Sequence, residues 1–119
     1  MAELTVLHNS RCSTSRHALE TVEAAGLPVE VVHYLKTPLD REQLLDLIAK
    51  LEDPPADLVR KDAFFAGLGL SADECTTPEQ VADLLVEHPR LMQRPVLVRG
   101  DRAIIGRPKD RAEAFIADS

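Results

Sequence analysis

The chain has no tryptophan, one tyrosine and three phenylalanines in 119 residues. So few rings leave nucleic-acid bases no stacking platforms, and the core must come from Leu, Val, Ala and Ile. Positive charge is not in excess either. The net charge of −6 argues against a general nucleic-acid binder, because neutralising phosphates takes a basic face. A small cluster of arginines around a small anion is compatible with that balance. Cysteine is scarce: Cys12 and Cys75 are too few for a disulfide framework. No CxxC occurs, because Ser15 stands three places after Cys12. No apolar run approaches the ~18 residues of a membrane span, and no charged-then-apolar leader is visible. A reducing cytoplasm is the expected compartment. The length and ordinary globular composition suit one domain with a single core.

What is present reads as βαβ, then helices, then ββα. Residues 3–8 form an expected strand and 14–25 a helix stopped by Gly26-Leu27-Pro28. Val29 to Tyr34 is β-branched enough for a strand. A helix follows from about Arg41 to Leu51, with Leu44, Leu45, Leu47 and Ile48 at helical spacing. Pro54-Pro55 breaks the chain. Short helices are expected over Ala56 to Arg60 and Asp62 to Gly67. Thr77-Pro78 opens another helix as N-cap and first position, ending near His88-Pro89. Arg94 to Val98 and Arg102 to Ile105 flank Arg99-Gly100-Asp101 as a β-hairpin. Gly106-Arg107-Pro108 opens a last helix to about Ala117. With a right-handed βαβ crossover, this is an α/β chain with a small mixed sheet. No repeat or domain linker interrupts it.

The chemistry concentrates in His8-Asn9-Ser10-Arg11-Cys12-Ser13-Thr14-Ser15-Arg16. A cysteine at a strand-to-helix turn meets the free N–H groups and partial positive charge of a helix start. Both favour the thiolate, which is the nucleophile. A structural cysteine is usually buried among apolar residues, whereas every neighbour of Cys12 in this run is polar. Cys12 is therefore a candidate catalytic residue. His8, at the strand end, is a candidate source of positive charge or of a hydrogen bond to the sulfur; the alternative is a solvent-facing histidine. Ser13, Thr14 and Ser15 suit helix capping or donation to an oxyanion. Arg16 sits in the first turn, where a cation opposes the dipole unless an anion binds there.

Two other anion signatures fail. A phosphatase loop needs arginine six places after the cysteine, and Ala18 stands there. A phosphate-binding GxxxxGK(S/T) loop is absent. Arg60, Arg94 and Arg107 are far apart, and each falls at an element boundary. Guanidinium groups bind tetrahedral oxyanions through forked hydrogen bonds, but spacing alone leaves these three as surface charges. Arg94-Pro95 is a plausible cis peptide. Cys75 lies in a polar stretch before a helix and reads as an incidental thiol. The histidines show no metal-site spacing, and His8 with Cys12 gives two ligands, short of a closed zinc site.

Taken together, HNSRCSTSR, Arg60 before a helical stretch ending GLGL, RPVLV at 94–98 and GRP at 106–108 resemble the glutaredoxin-coupled arsenate reductases of the thioredoxin-like superfamily. The resemblance covers nearly the whole chain. It implies a thioredoxin-like sheet with an all-helical insertion at about 37–90. It implies Cys12 as the nucleophile on arsenic, His8 as a stabiliser of its thiolate, Arg60, Arg94 and Arg107 as the oxyanion arginines, and a cis Pro95. Ser15 and Arg16 join the expected substrate-binding set. Arsenate, glutathione and glutaredoxin are the implied partners of a cytoplasmic monomer, with glutathione as co-substrate and no metal or organic cofactor. The chain departs from the family at Ser10 and Ser13, where proline and glycine are common, and at Arg11 beside the cysteine. Two further readings of the superfamily stay open: a glutathione-dependent protein thiol/disulfide reductase, and a non-catalytic regulator that binds RNA polymerase. The latter often carries CxxC, which this chain lacks.

Overall fold

A computed structural model describes residues 4–107 and 109–117. Glu3, expected in the first strand, and Pro108, expected to open the last helix, lie outside the described residues. Four strands form one mixed sheet in the order β2-β1-β3-β4. β1 (Leu4–Leu7) runs parallel to β2 (Val29–Val32) and antiparallel to β3 (Val96–Arg99), and β3 pairs antiparallel with β4 (Arg102–Ile105).

Alternation along the strands builds a core on each face of the sheet. Leu4, Val6, Leu97 and Ile104 point to one face. There they meet Ala18 and Val22 of α1 (Ser13–Ala24) and Ala112, Phe115 and Ile116 of α5 (Lys109–Ala117). Leu7, Val96, Ala103 and Ile105 point to the other face. They pack with Leu44, Leu47 and Ile48 of α2 (Arg41–Lys50) and Val81, Ala82 and Leu85 of α4 (Pro78–Glu87). Asp40 and Thr77 each start their helix with a reciprocal capping box, to Gln43 and Gln80.

Between β2 and β3 the chain is mostly helical, with α3 (Ala63–Gly67) and single 3-10 turns at Pro55–Leu58, Ala72–Glu74 and Pro89–Leu91. Two expectations need correction. β2 stops at Val32 rather than Tyr34, because the chain turns at His33: Lys36 and Thr37 N–H both donate to its carbonyl, at 2.9 Å each. The turn leaves Tyr34 1% exposed. Arg60 does not end a helix. Val59 bridges Met92 antiparallel, Arg60 N–H donates to Leu91 O at 2.7 Å, and Gln93 N–H donates to Leu58 O at 2.7 Å. Cys75 lies in the connection before α4 as expected, but the polar stretch around it holds a buried thiol, not an exposed one. The 3-10 turn before it swings it fully into the core, where Sγ donates to Ala72 O at 3.4 Å.

Candidate active site

The β1–α1 connection is built to present Cys12. His8 N–H still pairs with Val32 O at 2.9 Å, extending β1 by one residue. The chain then folds tightly: Cys12 N–H donates to Asn9 O at 3.0 Å, and Arg11 N–H to Asn9 Oδ1 at 3.0 Å. Cys12 itself occupies the N-cap position, in extended backbone, and its side chain makes no capping bond. The sulfur thus stays available while the first helical N–H groups point towards it.

Four donors address that sulfur. Arg107 Nη1 lies 3.6 Å from it. The Arg94 side chain and the backbone N–H groups of Ser15 and Thr14 lie close enough to favour its charged form. Half-burial pushes the Cys12 thiol up, but these donors outweigh it, and its pKa falls below the ordinary thiol value. The thiolate fraction at any given pH is correspondingly higher than for an ordinary thiol. Alkylation of Cys12 by iodoacetamide is expected to rise with pH through a midpoint below that of an unperturbed thiol. A midpoint at or above the ordinary value would contradict the four-donor arrangement. Buried Cys75 should contribute little to the reaction.

The arginines come from elements remote in sequence. Arg94 precedes β3 through a cis bond to Pro95. Its carbonyl accepts from Arg107 Nη1 at 3.1 Å, which ties the two residues together. Gly106 N–H donates to Pro95 O at 2.8 Å. A Cβ on Gly106 would lie 2.7 Å from Leu97 Cδ1 and 3.0 Å from Pro95 Cγ. A larger residue there would have to push the Leu97 and Pro95 side chains aside, just before Arg107. Arg60 is brought towards Arg94 because residues 58–60 align with 91–93, and its guanidinium is paired with Asp62 at 3.3 Å. Arg60 and Arg94 line a cleft of about 580 Å³ with Arg11, Lys36, Arg90 and the His8–Ser10 turn.

His8 is placed otherwise than expected. It is 5% exposed, and its Nδ1 pairs with Ser15 Oγ at 2.7 Å rather than with the sulfur. Burial lowers its pKa, and His33 and Arg16 lower it further, so it is a poor source of positive charge at neutral pH. The arginines supply that charge instead. Ser15 is also redirected. Its buried Oγ accepts from Asn9 N–H at 3.0 Å, so the hydroxyl braces the turn and its backbone N–H serves the sulfur. Arg16 Nη1 donates to Ser10 O at 2.9 Å and closes the turn from outside. Ser15→Ala should cost about 1–3 kcal/mol, because it strips partners from buried His8 and from Asn9 N–H. The lowered Cys12 pKa should largely survive, since a backbone N–H makes that contact. Denaturant melts and an alkylation pH profile check both halves.

Sequence reasoning missed Tyr34, which reaches this site from below. It is the chain's only tyrosine, but nothing local signals that the chain turns at His33. Among the described residues, no group of three or more His, Cys, Asp or Glu is arranged to hold a metal ion. No described helix is long and apolar enough to cross a membrane.

Fold and site define a class: a thioredoxin-like domain with a single activated thiol at the start of α1, flanked by arginines. The model of the ArsC family matches residues 7–115. An arsenate reductase of Neisseria meningitidis serogroup A is 36% identical over 118 residues, spanning 98% of this chain and all of the relative. An arsenate reductase of Escherichia coli is 36% identical over 120 residues, covering 100% of this chain and 84% of its own length. The solved arsenate reductase from Vibrio cholerae superposes with a TM-score of 0.79 at 28% identity, over 93% of this chain and 95% of that one. The chain belongs to the ArsC family.

Proposed function

We propose that this protein reduces arsenate to arsenite through a Cys12 thiolate–arsenate adduct, with glutathione and glutaredoxin supplying the electrons. One observation carries the reading: an activated sulfur shares the guanidinium groups of Arg94 and Arg107, donors whose geometry suits a tetrahedral oxyanion. Arg60 lines a cleft together with Arg94 and adds to the cationic set. Relatives named arsenate reductases over nearly the whole chain support the substrate.

In this scheme arsenate docks at the start of α1 against Arg60, Arg94 and Arg107. The Cys12 thiolate attacks arsenic, forming an S–As bond and displacing an oxygen as water. Glutathione then attacks the adduct, and reduced glutaredoxin resolves the mixed species. Arsenic gains two electrons, the two external thiols become a disulfide, and Cys12 is restored as arsenite leaves. The fixed guanidinium and amide donors stabilise the charge on the anion without reorganising. His8 acts through Ser15 by holding the turn. With buried Cys75 inside the core, no second thiol of the chain is at hand, so the reducing equivalents come from outside. The scheme needs no metal or organic cofactor and suits a cytoplasmic monomer, since glutathione keeps that compartment reducing.

The test is arsenate-dependent NADPH consumption coupled through glutathione reductase, with glutathione and glutaredoxin each omitted in turn. Consumption that needs arsenate and both thiols supports the proposal. Thiol exchange on protein disulfides without arsenate turnover would instead mark a protein thiol reductase. Capture of RNA polymerase without either activity would mark a regulator.

A further inference from the structure

Two buried donors at this site have no partner. The hydroxyl of Tyr34 and Nε of Arg94 are both closed to solvent and unbonded among the described residues. An unsatisfied buried polar group is costly, so native structures keep few without a reason. The Tyr34 side chain is held rigidly, being 1% exposed within the core that packs α2 and α4. Its hydroxyl end faces the site: Asn9 lies beside it, outside hydrogen-bonding geometry, and Arg94, Cys12 and Arg60 act on it electrostatically. A buried phenol within electrostatic reach of two guanidinium groups is a fixed donor that the described residues do not use.

We propose that Tyr34 is an anion-binding residue: its hydroxyl, with Arg94 Nε, donates to the tetrahedral oxyanion held beside Cys12. The proposal rests on the oxyanion reading of the cleft. For the anion to reach these two atoms the Asn9 side chain, which lines the cleft and accepts from Arg11 N–H, has to shift. Burial keeps the phenol protonated by raising its pKa above the ordinary 10, against the pull of Arg94 and Arg60, so the donor persists across the working pH range. The residue adds a neutral, directional hydrogen bond to a site otherwise made of cations. This favours a compact oxyanion that can enter deeply over a bulky carboxylate.

The experiment uses the whole protein and arsenate alone, without reductants. Arsenate is titrated against iodoacetamide alkylation of Cys12 in wild type and Tyr34→Phe, and both proteins are melted. Arsenate should protect wild type, and protection of Tyr34→Phe should be weaker by about tenfold, the size of one charge-assisted hydrogen bond. The melting temperature should hold or rise, because an unsatisfied buried hydroxyl has been removed. A hydroxyl with only a structural role would leave protection unchanged, which overturns the proposal. Wild type left unprotected at any arsenate concentration would overturn the oxyanion reading itself, so the two failures are distinguishable. A second measurement needs no variant. With no tryptophan and a single tyrosine, the tyrosine near-UV absorption belongs to Tyr34 alone. It should shift to the red, saturably, at the arsenate concentrations that protect Cys12; protection with no shift would also overturn the proposal.

Discussion

Cys12→Ser should reduce arsenate-dependent NADPH consumption to the background rate while leaving the fold intact. Serine keeps the size and the hydrogen bonding of the side chain. It cannot be ionised by the donors that lower the cysteine pKa, because an alcohol lies far outside their range. No second thiol stands in, since Cys75 is sealed in the core. Stability should move the other way. Cys12 holds the N-cap position without making a capping bond, and serine is among the best N-cap residues, worth up to about 1 kcal/mol there. The expected result is thus an inactive protein at least as stable as wild type. Substantial arsenate turnover by the variant would remove the thiolate mechanism, and a large drop in melting temperature would contradict the account of the helix start.

The second large effect is at Arg94. The side chain of this residue lowers the Cys12 pKa, and its carbonyl receives Arg107 Nη1. Arg94→Ala should lower kcat/KM for arsenate by about 10²–10³-fold, the scale of losing one preorganised donor to a developing anion. It should also raise the Cys12 pKa, because a group that lowers it is gone. The alkylation midpoint then moves to higher pH, and less thiolate is present near neutrality. The backbone bond from Arg107 persists in this variant, so both effects report the guanidinium. Arg94→Lys should recover only part of the activity, since an ammonium keeps the charge without the fork. Unchanged kinetics together with an unchanged pH profile would place Arg94 outside the reaction.

The parts of the fold with a local signal were legible in the sequence. β1, α1 and the β3–β4 hairpin follow from alternation, Gly26 and the Arg99-Gly100-Asp101 turn, and α4 follows from Thr77-Pro78. Cys12 stood out because a polar strand-to-helix turn can be read from its neighbours; that it takes the N-cap position itself is seen only in the structure. What escaped depends on contacts between distant segments. Arg60 is positioned by pairing with residues 91–93, not by a helix end. The inward turns of Tyr34 and Cys75 are set by a chain reversal and a 3-10 turn that carry no period. His8 and Ser15 meet only because the loop between them folds back, which makes one a brace for the other. Spacing offered Arg60, Arg94 and Arg107 as three surface charges. Only the family resemblance grouped them; in the structure Arg107 reaches the sulfur, Arg94 lowers its pKa, and Arg60 lines a cleft together with Arg94.

A crystal structure of the protein with arsenate tests the central claim most directly. Arsenic should lie within bonding distance of Cys12 Sγ, its oxygens held by Arg94 and Arg107 and approached by Arg60 released from Asp62. Arsenate bound away from the sulfur, or no anion at α1 under conditions that saturate turnover, would contradict the account.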